Sequence, residues 1–405
     1  MGRVRTNVQP NPSIPLLAVG HACVDVYQGA VAALIPYFVA ERHYTYAVAS
    51  GLVLAASLLS SVAQPLFGAL TDRWPLPWLL PVSTLLSGAG IALSGLADSY
   101  GWTLFFMAVS GVGVAAYHPE SARVARLAAG AGGSHRAMAG FSLGGTLGFA
   151  LAPLLVSAVI GQGSLRWTPV LALPALAGAA LTVPVLQLYT RPRSRTAHTP
   201  QASGTDDVAS FVRLSLAVVC RSVVFTGLST FLALHARERT GGSATAGTVA
   251  LFLLFLGGAI GSVLGGALAD RYDRVRVCRW SYLLTIVAVA GVIHAPAPAL
   301  YLCAALTSVG LYVPFSLQVT LGQDYLPSRT GTAAGVTLGL TVSIGGLISP
   351  VLGRLADATT LRTALTPLIA MPALSWLLFR TLPEPPAPAP SPDHTRKGPL
   401  RAGDP

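Results

Sequence analysis

The sequence predicts an all-helical integral membrane protein: twelve transmembrane helices in two pseudo-symmetric six-helix bundles, with both termini cytoplasmic. Three observations carry this. Charged residues make up 10% of the chain and hydrophobic ones 53%, with a mean hydropathy of +0.62; a soluble domain carries about 25% charge. Apolar runs of the roughly 20 residues that cross a bilayer as helix recur along the whole chain. A short stretch occurs twice, as Gly68-Ala-Leu-Thr-Asp72-Arg73 and as Gly266-Ala-Leu-Ala-Asp270-Arg271, half a chain apart. Duplicated halves of that kind mark secondary transporters.

The spans are expected at 14–40, 46–71, 76–97, 102–127, 135–161, 167–189, 210–235, 246–269, 277–295, 299–323, 330–355 and 362–382. With the N-terminus inside, nineteen Lys and Arg residues fall on the inner side and six on the outer, leaving Arg221 within a helix. That asymmetry sets the orientation. Residues 190–209 are Arg-, Ser- and Thr-rich and too polar to bury, so they read as a cytoplasmic linker. They separate an N-terminal bundle (1–189) from a C-terminal bundle (210–382). The tail, 383–405, is Pro-rich and expected to be disordered. The repeat continues beyond the opening motif. Pro153, behind Gly144, Gly145 and Gly148, matches Pro350, behind Gly345 and Gly346, at an offset of 197, which Cys23 and Cys220 share.

The net charge of +11 comes from basic residues scattered through short loops, which speaks against nucleic acid as a partner. Cys23, Cys220, Cys278 and Cys303 have no metal-ligand spacing and read as small apolar fillers. No metal and no cofactor is expected. The first apolar run is too long for the core of a cleaved signal peptide. No Gly-rich loop ending in Lys-Ser/Thr is present, so transport powered by ATP in this chain is not expected.

The polar residues inside the spans carry the functional reading. His21, Asp25 and Gln28 are spaced i, i+4, i+7 and share one face of the first helix. An ionised Asp25 near mid-membrane costs at least ~2.5–3.5 kcal/mol on an isolated helix. It needs a wet cavity, a partner or a proton. Desolvation penalises the charged forms of carboxylate and imidazole alike, which suits groups that take up and release a proton; a structural bridge to a neighbouring helix is the other reading. His118 and Glu120 flank Pro119, which opens the fourth helix. They read either as a proton exit or gate, or as a helix-end arrangement in which Glu120 pairs with Arg123. Arg221 is the single Lys or Arg deep in an apolar run, and its fork suits a phosphonate or carboxylate; an Arg that only ties helices is the alternative. The pairs Asp72-Arg73 and Asp270-Arg271 read as a conformational latch, or as plain turns. Gly145, Gly148, Pro153, Gly346 and Pro350 allow close packing and bending.

With the twin Gly-x-x-x-Asp-Arg stretches, the twelve helices and the central linker, the chain resembles the major facilitator superfamily. Gly111-Val-Gly113-Val-Ala-Ala-Tyr117-His118-Pro119 looks like its fourth-helix motif, with Met107 where an Arg is usual. More closely, the chain resembles the fosmidomycin resistance protein family. The matching pieces are Gly20-His21 with Asp25-Val-Tyr27-Gln28-Gly29; Tyr117-His118-Pro119-Glu120-Ser-Ala-Arg123; Phe141-Ser-Leu-Gly144-Gly145-Thr-Leu-Gly148; and Gln323-Asp324-Tyr325-Leu326-Pro327. The resemblance implies a multi-pass efflux pump of the bacterial inner (cell) membrane for small antimicrobials. It also implies that the first and seventh helices face each other, so that Asp25 and Arg221 project into one cavity. The expected partners are a small-molecule substrate, a coupling proton and the lipid bilayer, with the protein a monomer. Asp25, His21, His118 and Glu120 are assigned to the proton, and Arg221, Gln28 and Tyr27 to substrate. A superfamily transporter that takes up or exchanges a metabolite is the alternative; a membrane-embedded enzyme using His118 and Glu120, or a channel, is less favoured.

Overall fold

The computed structural model describes residues 13–74, 76–129, 135–161, 163–189 and 205–385. Helices follow one another with short turns. The first half contains α1 (Ser13–Arg42), α2 (Tyr46–Arg73), α3 (Leu79–Ser94), α4 (Tyr100–Ala129), α5 (His135–Ile160) and α6 (Leu173–Tyr189), the last led by a 3-10 segment, Leu165–Ala172. The second contains α7 (Val208–Arg239), α8 (Ala244–Ala269), α9 (Arg274–His294), α10 (Ala297–Tyr325) and α11 (Thr330–Ala358). Its last span is broken into α12 (Leu361–Leu365), a 3-10 turn and α13 (Ala370–Arg380). Among the described residues, ten of these spans are long and apolar enough to cross a membrane. α11 adds another 29 residues, and α3 is short at 16.

Caps and turns follow from local chemistry. Thr45, Asp207 and Ser243 accept from the backbone N–H groups of Val48, Ser210 and Ala246, capping α2, α7 and α8. Gly241 and Gly242 turn α7 into α8 with φ of +72° and +96°, a conformation that disfavours a Cβ. The expected third span, 76–97, shrinks because Pro77 delays its start. The sixth and twelfth are interrupted at Pro169, Pro367 and Pro372, where each ring removes a backbone donor.

Within each half, packing relies on small residues, as expected where lipid supplies no hydrophobic drive between helices. α1 lies against α5 and α8 against α10. A Cβ at Gly148 would overlap the Ala22 carbonyl, and one at Gly265 the Val313 carbonyl. The duplication is visible in detail. Arg42 donates to Gly95 O at 3.0 Å, and Arg239, at the repeat offset, donates to Ala295 O at 2.5 Å. Between halves, α2 packs on α11, α5 on α8 and α1 on α7.

The end expected to face outward is drawn together. Asp357, at the end of α11, accepts from Tyr46 N–H at 2.8 Å and Ala47 N–H at 3.0 Å, capping α2. Tyr46 Oη donates to Glu238 of α7 at 3.0 Å. Gly353 sits on the Tyr46–Ala47 backbone, closer than a Cβ would allow. Toward the other end, Gly140, Gly266 and Gly335 face open space.

Two expected boundaries move. Residues 205–207, placed in the linker, already belong to the fold: Asp206 accepts from Ser328 N–H at 3.1 Å, and Asp207 caps α7. Their carboxyls are held below the usual range, chiefly by hydrogen bonds from Ser328 and Ser210. The start of the tail is docked as well. Tyr325 Oη donates to Pro383 O at 2.6 Å, while Glu384 receives Arg274 Nε at 2.9 Å and Val275 N–H at 2.7 Å. The remainder of the linker (190–204) and of the tail (386–405) lies outside the described residues.

Candidate functional site

α1 and α4 cross beside α5 and bring His21, Asp25 and His118 together. His21 Nε2 lies 3.3 Å from Asp25 Oδ2, and His118 Nε2 lies 3.3 Å from Asp25 Oδ1. His21 and Asp25 are each 8% exposed. The floor of the cluster is Gly145: a Cβ there would stand 2.5 Å from Asp25 Oδ2 and 2.6 Å from His21 Nε2. Phe141 stacks on the His21 ring at 4.4 Å, with Tyr117 at 5.9 Å. These contacts hold the imidazole in place.

The tautomers follow from the partners. His21 Nδ1 lies 3.0 Å from Phe141 O, and His118 Nδ1 lies 2.7 Å from Val114 O. A carbonyl only accepts, so both Nδ1 atoms carry hydrogen. In the neutral rings, both Nε2 lone pairs then face the Asp25 carboxylate. No hydrogen bond satisfies His21 Nε2 or Asp25 Oδ1. With both imidazoles neutral, an ionised Asp25 would leave a charge of −1 in this buried place, whereas a proton on either Nε2 would complete an ion pair at 3.3 Å; no Lys or Arg is paired to the cluster among the described residues. Such a cluster calls for a cation.

Arg221 is 2% exposed on α7, its Cζ 5.0 Å from the Phe315 ring centre and 5.9 Å from that of Tyr312. These are cation–π distances. Its Nε has no hydrogen-bond partner. The cage continues through Phe225 to Phe149 and Phe255, the last pair meeting at 4.2 Å across the two halves. Asp25 and Arg221 do not pair. Asp25 is engaged by the histidines instead, and Tyr312 stands within electrostatic reach of both charges.

Other expected site residues fall elsewhere. Tyr27, assigned to substrate, is fully buried and donates to Leu171 O at 2.9 Å. It lies two residues past Asp25, some 200° around the helix. Gln28 is exposed and stands outside the cluster. Glu120 is fully buried in a two-bond pair with Arg123, Arg123 Nε donating at 2.8 Å; of its two readings, the structure has the helix-end pair. Asp270, Arg271 and Arg73 are exposed, and Asp270 makes no ion pair among the described residues. The Asp72 side chain lies outside the described residues. Gly346 presses on Ser57 of α2 across the halves, while Pro153 and Pro350 lie within α5 and α11. Spacing along one helix showed no metal-ligand set; α1 and α4 together bring two imidazoles and a carboxylate within 4.8 Å of one another. Asp357, Tyr46 and Glu238 were missed, although Gly353-Arg-Leu-Ala-Asp357 repeats the Gly-x-Leu-x-Asp pattern of the twin motif.

Comparison with known proteins agrees with this architecture. The sequence profile described as Major Facilitator Superfamily matches residues 17–350. The chain is 28% identical to the Fosmidomycin resistance protein of Escherichia coli (strain K12) over 374 residues, covering 89% of this chain and 90% of that one. It is 29% identical to the uncharacterized MFS-type transporter YfnC of Bacillus subtilis (strain 168), covering 91% and 92%. Among solved structures, a bacterial homolog of the human lysosomal transporter Spinster, in an inward-facing and occupied conformation, superposes with a TM-score of 0.76 at 17% identity, over 92% of this chain and 97% of that one. The nucleoside transporter NupG gives 0.76 at 11% identity, over 91% and 98%. With a profile match over most of its length and twelve helices in the matching arrangement, the chain belongs to the Major Facilitator Superfamily.

Proposed function

We propose that this superfamily transporter is a proton-coupled exporter of a small antimicrobial, resident in the bacterial cell membrane with both termini cytoplasmic. The family is one of transporters, not enzymes. The observation that carries the coupling is the burial of Asp25 between the Nε2 atoms of His21 and His118, each at 3.3 Å, a cluster whose charge is set by the protons it holds. A proton is the smallest cation that relieves it, and Asp25 with the two imidazoles forms the relay. Glu120, held by Arg123, stays out of it. Arg221, caged by aromatic rings and lacking a carboxylate partner, receives an anionic group of the drug, with the apolar body against Phe225, Tyr312 and Phe255. The relative named for fosmidomycin resistance supports the efflux reading.

Transport then proceeds by alternating access. The residues 1–189 and 210–382 rock as two bundles over the close contacts of α5 and α11, and the gathered outer end corresponds to an inward-facing carrier. Drug-driven proton flux in proteoliposomes tests the proposal. Asp25→Asn abolishes the flux, and Arg221→Lys weakens transport of phosphonate drugs because the bidentate fork is lost. Unchanged flux in Asp25→Asn refutes the proton assignment. A susceptibility panel of expressing cells, including a phosphonate antibiotic, tests the substrate.

A further inference from the structure

From the geometry of the same cluster we infer that His21, Asp25 and His118 form a binding site for a divalent first-row transition ion of the Zn²⁺ type. The inference rests on reading the cluster as a cation site, and uses no titration of its members. The three ligand atoms lie within 4.8 Å of one another. Zn²⁺ binds His nitrogen and carboxylate oxygen at about 2.0–2.2 Å, which sets ligand atoms about 3.3 Å apart around a tetrahedral ion. His21 Nε2 is 3.3 Å from Asp25 Oδ2 and His118 Nε2 is 3.3 Å from Asp25 Oδ1, so the carboxylate spans the two imidazoles and offers one oxygen to each side of the ion.

The surroundings are those of a built site. Each Nδ1–H is committed to a backbone carbonyl, Phe141 O for His21 and Val114 O for His118. That contact fixes the tautomer that leaves Nε2 as the donor of a lone pair to metal, the usual outer-shell arrangement of a metal-bound histidine. His21 Nε2 and Asp25 Oδ1 are buried and unpartnered. Gly145 leaves room where any other residue would fill the cradle. The His118 side chain, 27% exposed, is the open side. Through it the ion enters and a water completes the shell, as in three-ligand zinc sites. Because His118 comes from α4 and the other two ligands from α1, the bound ion staples those helices together.

The probe is Co²⁺ added alone to the purified full-length protein in detergent at neutral pH. Saturable one-to-one binding is expected, with the visible absorption of low-coordinate cobalt and displacement by Zn²⁺. His21→Ala, Asp25→Asn and His118→Gln each weaken binding by more than the roughly 10–100-fold that loss of an outer-shell partner costs. His43→Asn, in the α1–α2 turn, leaves it unchanged. If a triad variant fails to fold, the others and the wild-type spectrum still decide. Absence of saturable binding, or binding indifferent to the triad variants that fold, overturns the inference. Its failure is separable from that of the proton reading: triad-dependent proton flux without metal binding removes only the metal site. Metal binding with flux indifferent to Asp25→Asn removes only the proton assignment.

Discussion

Asp357→Ala should loosen the outer end of the transporter. The substitution removes the acceptor of two backbone N–H groups, at 2.8 and 3.0 Å from the carboxylate, and the negative charge at the start of α2. Hydrogen bonds to a charged group are worth ~1.5–3 kcal/mol each when shielded. Asp357 is exposed, so solvent screening brings each toward the ~0.2–1 kcal/mol of surface ion pairs. The charge at a helix N-terminus adds ~0.3–1 kcal/mol. Together these give about 1–3 kcal/mol, or a shift of roughly 5- to 150-fold in the balance between outer-closed and outer-open forms. Spin labels at Asp98 and Thr359, one in each half at that end and both exposed, report the separation by pulsed electron resonance in a cysteine-free background. The variant should show a longer distance population that the parent lacks. Tyr46→Phe, which loses only the bond to Glu238, should give a smaller change of the same sign. A distance distribution that Asp357→Ala leaves unaltered would refute the assignment of the cap as the outer closure.

Two glycines one turn apart on α5 should respond differently. Gly148→Ala drives its Cβ into the Ala22 backbone and should lower thermal stability in detergent, with ~1–3 kcal/mol of overpacking. Gly145→Ala meets side-chain ends of His21 and Asp25, so it should spare stability while impairing proton-coupled transport. The Asp207 cap should resist acid. Its folded-state carboxyl sits below the usual range because Ser210 donates to it, so its contribution is present above about pH 4 and is lost as pH falls through the depressed value. Amide exchange at Ser210 across that interval checks this, and early loss near the ordinary value counts against it. Asp270→Asn should shift the label distances between Asp98 and Thr359 toward the outer-closed form, opposite in sign to Asp357→Ala.

Much of the fold was readable because lipid imposes a coarse rule: every span needs its run of apolar residues, and the duplication repeats the rule at a constant offset. What proline does to a span was harder to read, since Pro36, Pro65 and Pro119 stay inside continuous helices whereas Pro367 and Pro372 accompany a break. Two of the cluster's three members were legible as neighbours. His21 and Asp25 share a face of one helix, and i, i+4 spacing shows that directly. His118 joins them from another helix, a contact that tertiary packing makes and spacing cannot display. Tyr27 was named within the family-like piece Asp25-Val-Tyr27-Gln28-Gly29, and two residues along a helix turn its side chain away from Asp25, toward Leu171 O. Asp357 could have been found: it closes a third Gly-x-Leu-x-Asp pattern, which went unread because the following residue is Ala358 rather than Arg.

That third copy explains what the pattern does. At Gly353 the missing Cβ lets α11 settle on the backbone at the start of α2, and one turn later Asp357 reaches the free N–H groups there. The same spacing at the ends of α2 and α8 lies at the opposite side of the molecule, where Asp270 is exposed and Gly266 has open space before it. Since α8 packs along α5 and α2 along α11, we propose that inner closure carries Asp270 toward the start of α5 and the twin stretch ending α2 toward the start of α11. On that proposal, one carboxylate cap would be exchanged for others as the halves rock. A carrier needs its two closed forms within a few kcal/mol of each other, because a cargo shifts the balance only by its differential affinity for them. Caps of about 1–3 kcal/mol at alternate ends would supply that near-equality, strong enough to close each end and weak enough for the proposed coupling cation and substrate to decide which end opens.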